Sequence, residues 1–118
     1  MKIQTELKMD SAHKLPNYKG KCGYLHGHTW KIVVAVDADI LDENEFVVDF
    51  NKIKDVVMQY DHDYLNEPQR GQEPIANPTA ENMAAFFARK IKDIASDRFN
   101  SVTIKVFESD VSFAEISI

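Results

Sequence analysis

The sequence predicts an α+β domain, a four-stranded antiparallel sheet with two helices packed on one face. Three observations predict it. Two β-branched and aromatic runs occupy the first third of the 118-residue chain, two stretches with apolar residues at helical spacing fill its middle, and two short alternating runs close it. The order is ββααββ, and the length suits a single domain over residues 1–118.

Ile3 to Leu15 reads as the first strand, ended by the turn-rich Pro16-Asn17-Tyr18-Lys19-Gly20. His28 to Val36, "HTWKIVVAV", is the second strand, closed by Asp37, Asp39 and Asp42 to Asn44. Asp49 is placed to cap a first helix whose apolar face is Ile53, Val56, Val57 and Tyr60. Asn66 to Pro78 carries four prolines and glycines and reads as a long surface loop. Thr79 then caps a second helix, with Glu81 in its first turn and Met83, Phe86, Phe87, Ile91 and Ile94 as its stripe. Val102 to Phe107 and Val111 to Ile118 form a hairpin around Ser109-Asp110. Four strands leave two open edges, so a homo-oligomer that covers them is expected.

Composition narrows the function. The net charge of −5 is uneven: six lysines against Glu6 and Asp10 give residues 1–36 a charge of +4, leaving −9 for residues 37–118. No arginine-rich patch or stacking stripe accompanies the lysines, which excludes nucleic acid as the expected partner. No apolar run reaches the roughly 20 residues of a membrane span, and the polar first residues break up any secretory signal. The single cysteine makes no intrachain disulfide, which is compatible with a reducing cytoplasm.

The chemistry-bearing residues cluster in "KCGYLHGHTW", residues 21–30. His26 and His28 are two apart where a strand begins, so period-two geometry puts both imidazoles on one face. A hairpin-like pairing brings His13, near the end of the preceding strand, alongside them. Three neutral imidazoles with an open fourth position describe a catalytic zinc site. The H-x-H pair alone is weak evidence, and the glutamate a cupin would need soon after it is absent, Ile32 and Val33 standing there instead. Cys22 lies beside Lys21 in a polar loop, a setting that favours thiolate. A lone cysteine is more often an inert thiol, and only its place four residues before His26 marks it out. Asp61-His62 matches a carboxylate that orients an imidazole for proton transfer. Adjacent residues on a helix do not face each other, so that pairing requires local unwinding. Glu108 ends a strand, and its carboxylate suits the two parallel N–H groups of an amino-pyrimidine edge.

Four motifs in one order, "SAHKL" (11–15), "CGYLHGH" (22–28), "DHDYLN" (61–66) with "NPTAEN" (77–82), and "FES" (107–109), resemble the 6-pyruvoyltetrahydropterin synthase and 6-carboxytetrahydropterin synthase family over nearly the whole chain. The resemblance implies that family's tunnelling fold and a homohexamer built as a dimer of trimers, with sites at subunit interfaces. It puts zinc on His13, His26 and His28, the catalytic cysteine on Cys22 and the Asp–His pair on Asp61 and His62. The pterin-anchoring glutamate falls on Glu108, and a further pterin contact on Thr79. Three residues separate Cys22 from His26, as in the queuosine branch, where the biopterin branch usually has five. The implied reaction converts 7,8-dihydroneopterin triphosphate to 6-carboxytetrahydropterin, acetaldehyde and triphosphate. Lys14, Lys19 and Lys21 are charge-based candidates for the triphosphate. The alternatives are a 6-pyruvoyltetrahydropterin synthase, a non-catalytic zinc or pterin-binding module, and a generic zinc hydrolase. Tyr60 replaces the leucine that commonly precedes Asp-His in the family.

Overall fold

A computed structural model describes residues 1–118. Its strands are β1 (Lys2–His13), β2 (His26–Ala38), β3 (Asp63–Tyr64), β4 (Phe99–Phe107) and β5 (Phe113–Ser117), and its helices are α1 (Phe50–Met58) and α2 (Ala80–Lys92). The sheet order is β3-β1-β2-β4-β5. The α+β class and the two-layer arrangement stand as the sequence predicts, but the sheet has five strands rather than four. The fifth, β3, falls between the helices and pairs parallel with β1 through Ser11–Asp63 and Ala12–Tyr64. Two residues are too few to carry an alternating pattern, and the pairing depends on contacts made far along the chain.

β1 and β2 pair antiparallel from Lys2–Asp37 to His13–His26. The first strand stops at His13, before the expected Leu15, because the chain must turn at Pro16. The second starts at His26, earlier than expected, because His26 is the partner of His13. Alternation aims Met9, Ser11 and His13 at the helices, together with Trp30, Ile32, Val34 and Val36 of β2. Ile53 and Val57 of α1, Met83, Phe87 and Ile91 of α2, and Ile104 of β4 complete this buried core. Each fully buried side chain of that size contributes about 1.5–3 kcal/mol by leaving water.

Both helix starts follow the capping rule. The Asp49 carboxylate accepts the Asn51 N–H, and the Thr79 hydroxyl accepts the Asn82 N–H. The chain between β3 and α2 is irregular as expected, yet it is anchored: Ile75 is buried and its N–H donates to the Leu65 carbonyl. Tyr60 is buried edge-on against Phe86 and Phe87, and its hydroxyl donates to the Glu73 carbonyl. Burial pushes the Tyr60 phenol up to about 12, so it remains a donor. No helix is long and apolar enough to cross a membrane.

Candidate metal centre and proton-transfer groove

The β1–β2 register is what builds the site. His13 stands directly opposite His26, and Ser11 opposite His28, so three imidazoles share the helix-side face at one end of the ladder. Their rings meet edge to face, with centroids 4.5 Å apart for His13–His26, 5.1 Å for His13–His28 and 4.8 Å for His26–His28. Trp30, next on the same face, stacks edge-on at 4.9 Å from both His13 and His28 and donates its indole N–H to the Ser11 carbonyl. The indole thus walls the cluster off from the core and fixes two rings.

The tautomers follow from the hydrogen bonds. His13 Nδ1 lies 2.7 Å from the Pro78 carbonyl oxygen, and His26 Nδ1 lies 2.7 Å from that of Tyr24. A carbonyl only accepts, so each Nδ1 must carry the proton, and each neutral ring presents a lone pair at Nε2. Those two Nε2 atoms face one another at 2.9 Å. The third, His28 Nε2, is buried with no hydrogen-bond partner; Glu108 Oε1 is 3.1 Å away but is not aligned to accept. Burial holds His13 below the ordinary histidine range, with the Pro78 carbonyl pulling it back up and the neighbouring imidazoles lowering it further. Burial lowers His28 as well, against the raising effect of Glu108. Neutral imidazoles with outward lone pairs are what a divalent cation requires. The ligand atoms of His13, His26, His28 and Glu108 all lie within 4.8 Å of one another, so the donor set fits zinc. The backbone acceptors on both Nδ1 atoms are the outer contacts that orient metal-bound histidines.

Asp61 and His62 form a separate group with Asp10. α1 ends at Met58, so the pair lies beyond the helix and the geometric objection to its pairing does not arise. His62 turns the chain with φ 57°, which lets its Nε2 reach 3.6 Å from Asp61 Oδ2. The Asp10 N–H donates to Asp61 Oδ1 at 2.9 Å, and the His62 N–H donates to the Asp10 carbonyl at 2.6 Å. A groove of about 630 Å³ runs beside His62, bordered by Asp10, Ala12, Gly27, His28 and Tyr64, and of the three clustered histidines it touches His28 alone.

Cys22 lies in a single 3₁₀ turn, Lys21–Gly23, half-buried and outside both groups. The turn is tied to β1 by the Leu15 N–H, which donates to the Cys22 carbonyl. Gly23 is required there, because a Cβ would sit 2.2 Å from the Tyr18 carbonyl oxygen. Glu108 stands against the histidines themselves, a placement its position at a strand end does not reveal. The Thr79 hydroxyl is engaged as the α2 cap, one residue after the Pro78 carbonyl that holds His13. Lys14, Lys19 and Lys21 are exposed. The sequence reading missed Asp10, Trp30 and the two backbone acceptors. Trp30 carried a signal, being two residues beyond His28 on the same face; the carbonyls of Tyr24 and Pro78 carried none.

Comparison with known proteins places the chain in a family and supports its fold. The 6-carboxy-5,6,7,8-tetrahydropterin synthase of Rickettsia bellii is 31% identical, over 98% of this chain and 99% of that protein. The one from Synechocystis is 34% identical, over 86% of this chain and 83% of that protein. Among solved structures, Caenorhabditis elegans 6-pyruvoyl tetrahydropterin synthase superposes with a TM-score of 0.71 at 21% identity, over 98% of this chain and 94% of that one. The Plasmodium falciparum enzyme gives 0.70 at 18% identity, over 100% and 97%, and at these identities both structures speak for the fold alone. Residues 2–117 match the family model described as 6-pyruvoyl tetrahydropterin synthase, and the chain belongs to that family.

Proposed function

We propose that the protein is a zinc-dependent 6-carboxy-5,6,7,8-tetrahydropterin synthase that converts 7,8-dihydroneopterin triphosphate and water to 6-carboxytetrahydropterin, acetaldehyde and triphosphate in queuosine biosynthesis. The observation that carries this reading is the meeting of the His13 and His26 lone pairs at 2.9 Å, with both Nδ1 protons already committed to carbonyls. The names of the curated relatives support the carboxy product over the pyruvoyl one.

His13, His26 and His28 would hold the zinc, which when bound would supply Lewis-acid polarisation of the substrate's side-chain hydroxyls. Cys22, as thiolate, takes and relays a proton from the substrate side chain. Asp61 orients the His62 imidazole, which serves as the second proton-transfer group beside the groove. Glu108 is partly exposed beside His28, so its carboxylate is open to accept the N–H groups of the pterin edge. Thr79 adds a pterin contact, and Lys14, Lys19 and Lys21 receive the triphosphate. β3 and β5 leave both sheet edges open, which supports a homo-oligomer. Its form in this reading is a homohexamer, a dimer of trimers in the cytoplasm, whose neighbouring chains complete each site.

The test is to incubate the zinc-loaded protein with 7,8-dihydroneopterin triphosphate and identify the products by mass. No turnover of any dihydropterin would put the non-catalytic binding module in its place.

A further inference from the structure

Asp63 follows directly after His62, and its side chain is only 3% exposed. A buried carboxylate requires partners, and this one has four. It accepts the N–H groups of Tyr64 at 2.8 Å and Gln69 at 3.0 Å, the Gln72 amide at 2.7 Å and Arg70 Nε at 3.2 Å. Burial alone would raise the Asp63 carboxyl, but these donors outweigh it and hold it at about 2. Asp63 is therefore a fixed anion, and Arg70 is its cation.

The rest of the guanidinium points back along the chain. Arg70 Nη2 donates to the Gln59 carbonyl at 3.0 Å and to the Asp61 carbonyl at 2.7 Å. The second bond matters most, because that carbonyl belongs to the peptide joining Asp61 to His62. The N–H of the same peptide donates to the Asp10 carbonyl. One peptide plane is thus held from both sides, by Arg70 and by β1. His62 leaves it at φ 57°, a left-handed backbone that a residue with a Cβ keeps only where its surroundings impose it.

We propose that Asp63 and Arg70 are positioning residues that set the orientation of the Asp61–His62 pair. The Asp63 carboxylate locks the Arg70 guanidinium, the guanidinium locks the Asp61–His62 peptide, and that peptide aims the imidazole at the groove. The catalytic consequence rests on the reading of Asp61–His62 as a proton-transfer pair. A misplacement of about 1 Å is enough to cost a reaction on the order of 100-fold, so a clamp on the peptide reaches the chemistry without touching substrate.

The experiment uses the zinc-loaded oligomer with Arg70→Met, His62→Gln and the double variant. Two readouts are taken, steady-state turnover of 7,8-dihydroneopterin triphosphate and the ring cross-peak of His62 in the ¹H–¹³C spectrum. Arg70 is the exposed member of the pair, and circular dichroism and zinc content check that each variant keeps the fold and the metal. Arg70→Met is expected to lower kcat about 10- to 100-fold with KM changed by less than about twofold, and to move the His62 cross-peak. In the His62→Gln background the same substitution should cost almost nothing, because the group it positions is gone. An unmoved His62 cross-peak overturns the proposal whatever the turnover, and so does an equal loss of kcat in both backgrounds. If His62→Gln alone keeps full turnover, the proton-transfer reading fails by itself. The clamp is then judged on the cross-peak, where movement supports it and no movement overturns it.

Discussion

His13 and His26 face each other across the β1–β2 ladder with Nε2 atoms 2.9 Å apart, each ring donating its Nδ1–H to a backbone carbonyl. Two lone pairs at that distance repel unless a cation lies between them. The strand register, the Tyr24 turn and the buried Pro78 all serve to bring about this otherwise unfavourable contact.

Removing one of these rings should therefore remove the metal. His26→Ala is expected to purify with no stoichiometric zinc and no turnover, read by atomic spectroscopy and by substrate consumption. Cys22→Ala should keep its zinc and lose about 10²- to 10⁴-fold in kcat, the range of a single general acid–base group. Full activity in Cys22→Ala would exclude the thiol from the chemistry.

Glu108 sits where it can serve either the metal or the substrate, and one variant separates the roles. Glu108→Gln should retain zinc and raise KM about tenfold or more, since a charge-assisted pair of hydrogen bonds to the pterin edge is weakened. Loss of zinc in this variant would make the carboxylate a ligand instead.

Thr79 has a structural duty that its proposed pterin contact must share. Thr79→Ala should cost about 1 kcal/mol of stability through the lost cap on α2, measured by denaturant unfolding. Thr79→Ser keeps the hydroxyl and should restore both the stability and the KM.

Asp63 makes acid stability predictable in sign. Its folded value of about 2 lies below the ordinary 3.8, so the folded state holds the proton more weakly than the unfolded chain. Its contribution is complete above about pH 4 and is lost as the pH falls towards 2. Asp63→Asn should therefore be less stable than the parent at neutral pH, and the gap should narrow on acidification. Melting temperatures measured from pH 6 down to pH 2 would show a constant gap if the carboxylate contributed nothing through its charge.

Much of this site is legible in the sequence because it obeys short periods. His26, His28 and Trp30 share a face by alternation, and Asp49 and Thr79 mark the helix starts by their side-chain chemistry. What escapes is whatever depends on closure between distant segments. β3 exists because Asp63 finds Arg70 and Gln72 beyond a turn, and two residues cannot announce that by pattern. α1 stops at Met58, and the Asp61–His62 pair then hangs on the Asp10 backbone rather than on a helix. Tyr60 shows the same limit. Its place before Asp-His makes sense once its hydroxyl is seen to fasten the Glu73 segment.

The proposed reaction requires cleavage of a carbon–carbon bond of the substrate as well as release of triphosphate. The most direct measurement is the ratio of acetaldehyde to triphosphate formed from 7,8-dihydroneopterin triphosphate by the zinc-loaded protein. Equal amounts of the two, with 6-carboxytetrahydropterin as the pterin product, are predicted. Triphosphate released without acetaldehyde would rule out the carboxy reaction and assign the pyruvoyl reaction instead.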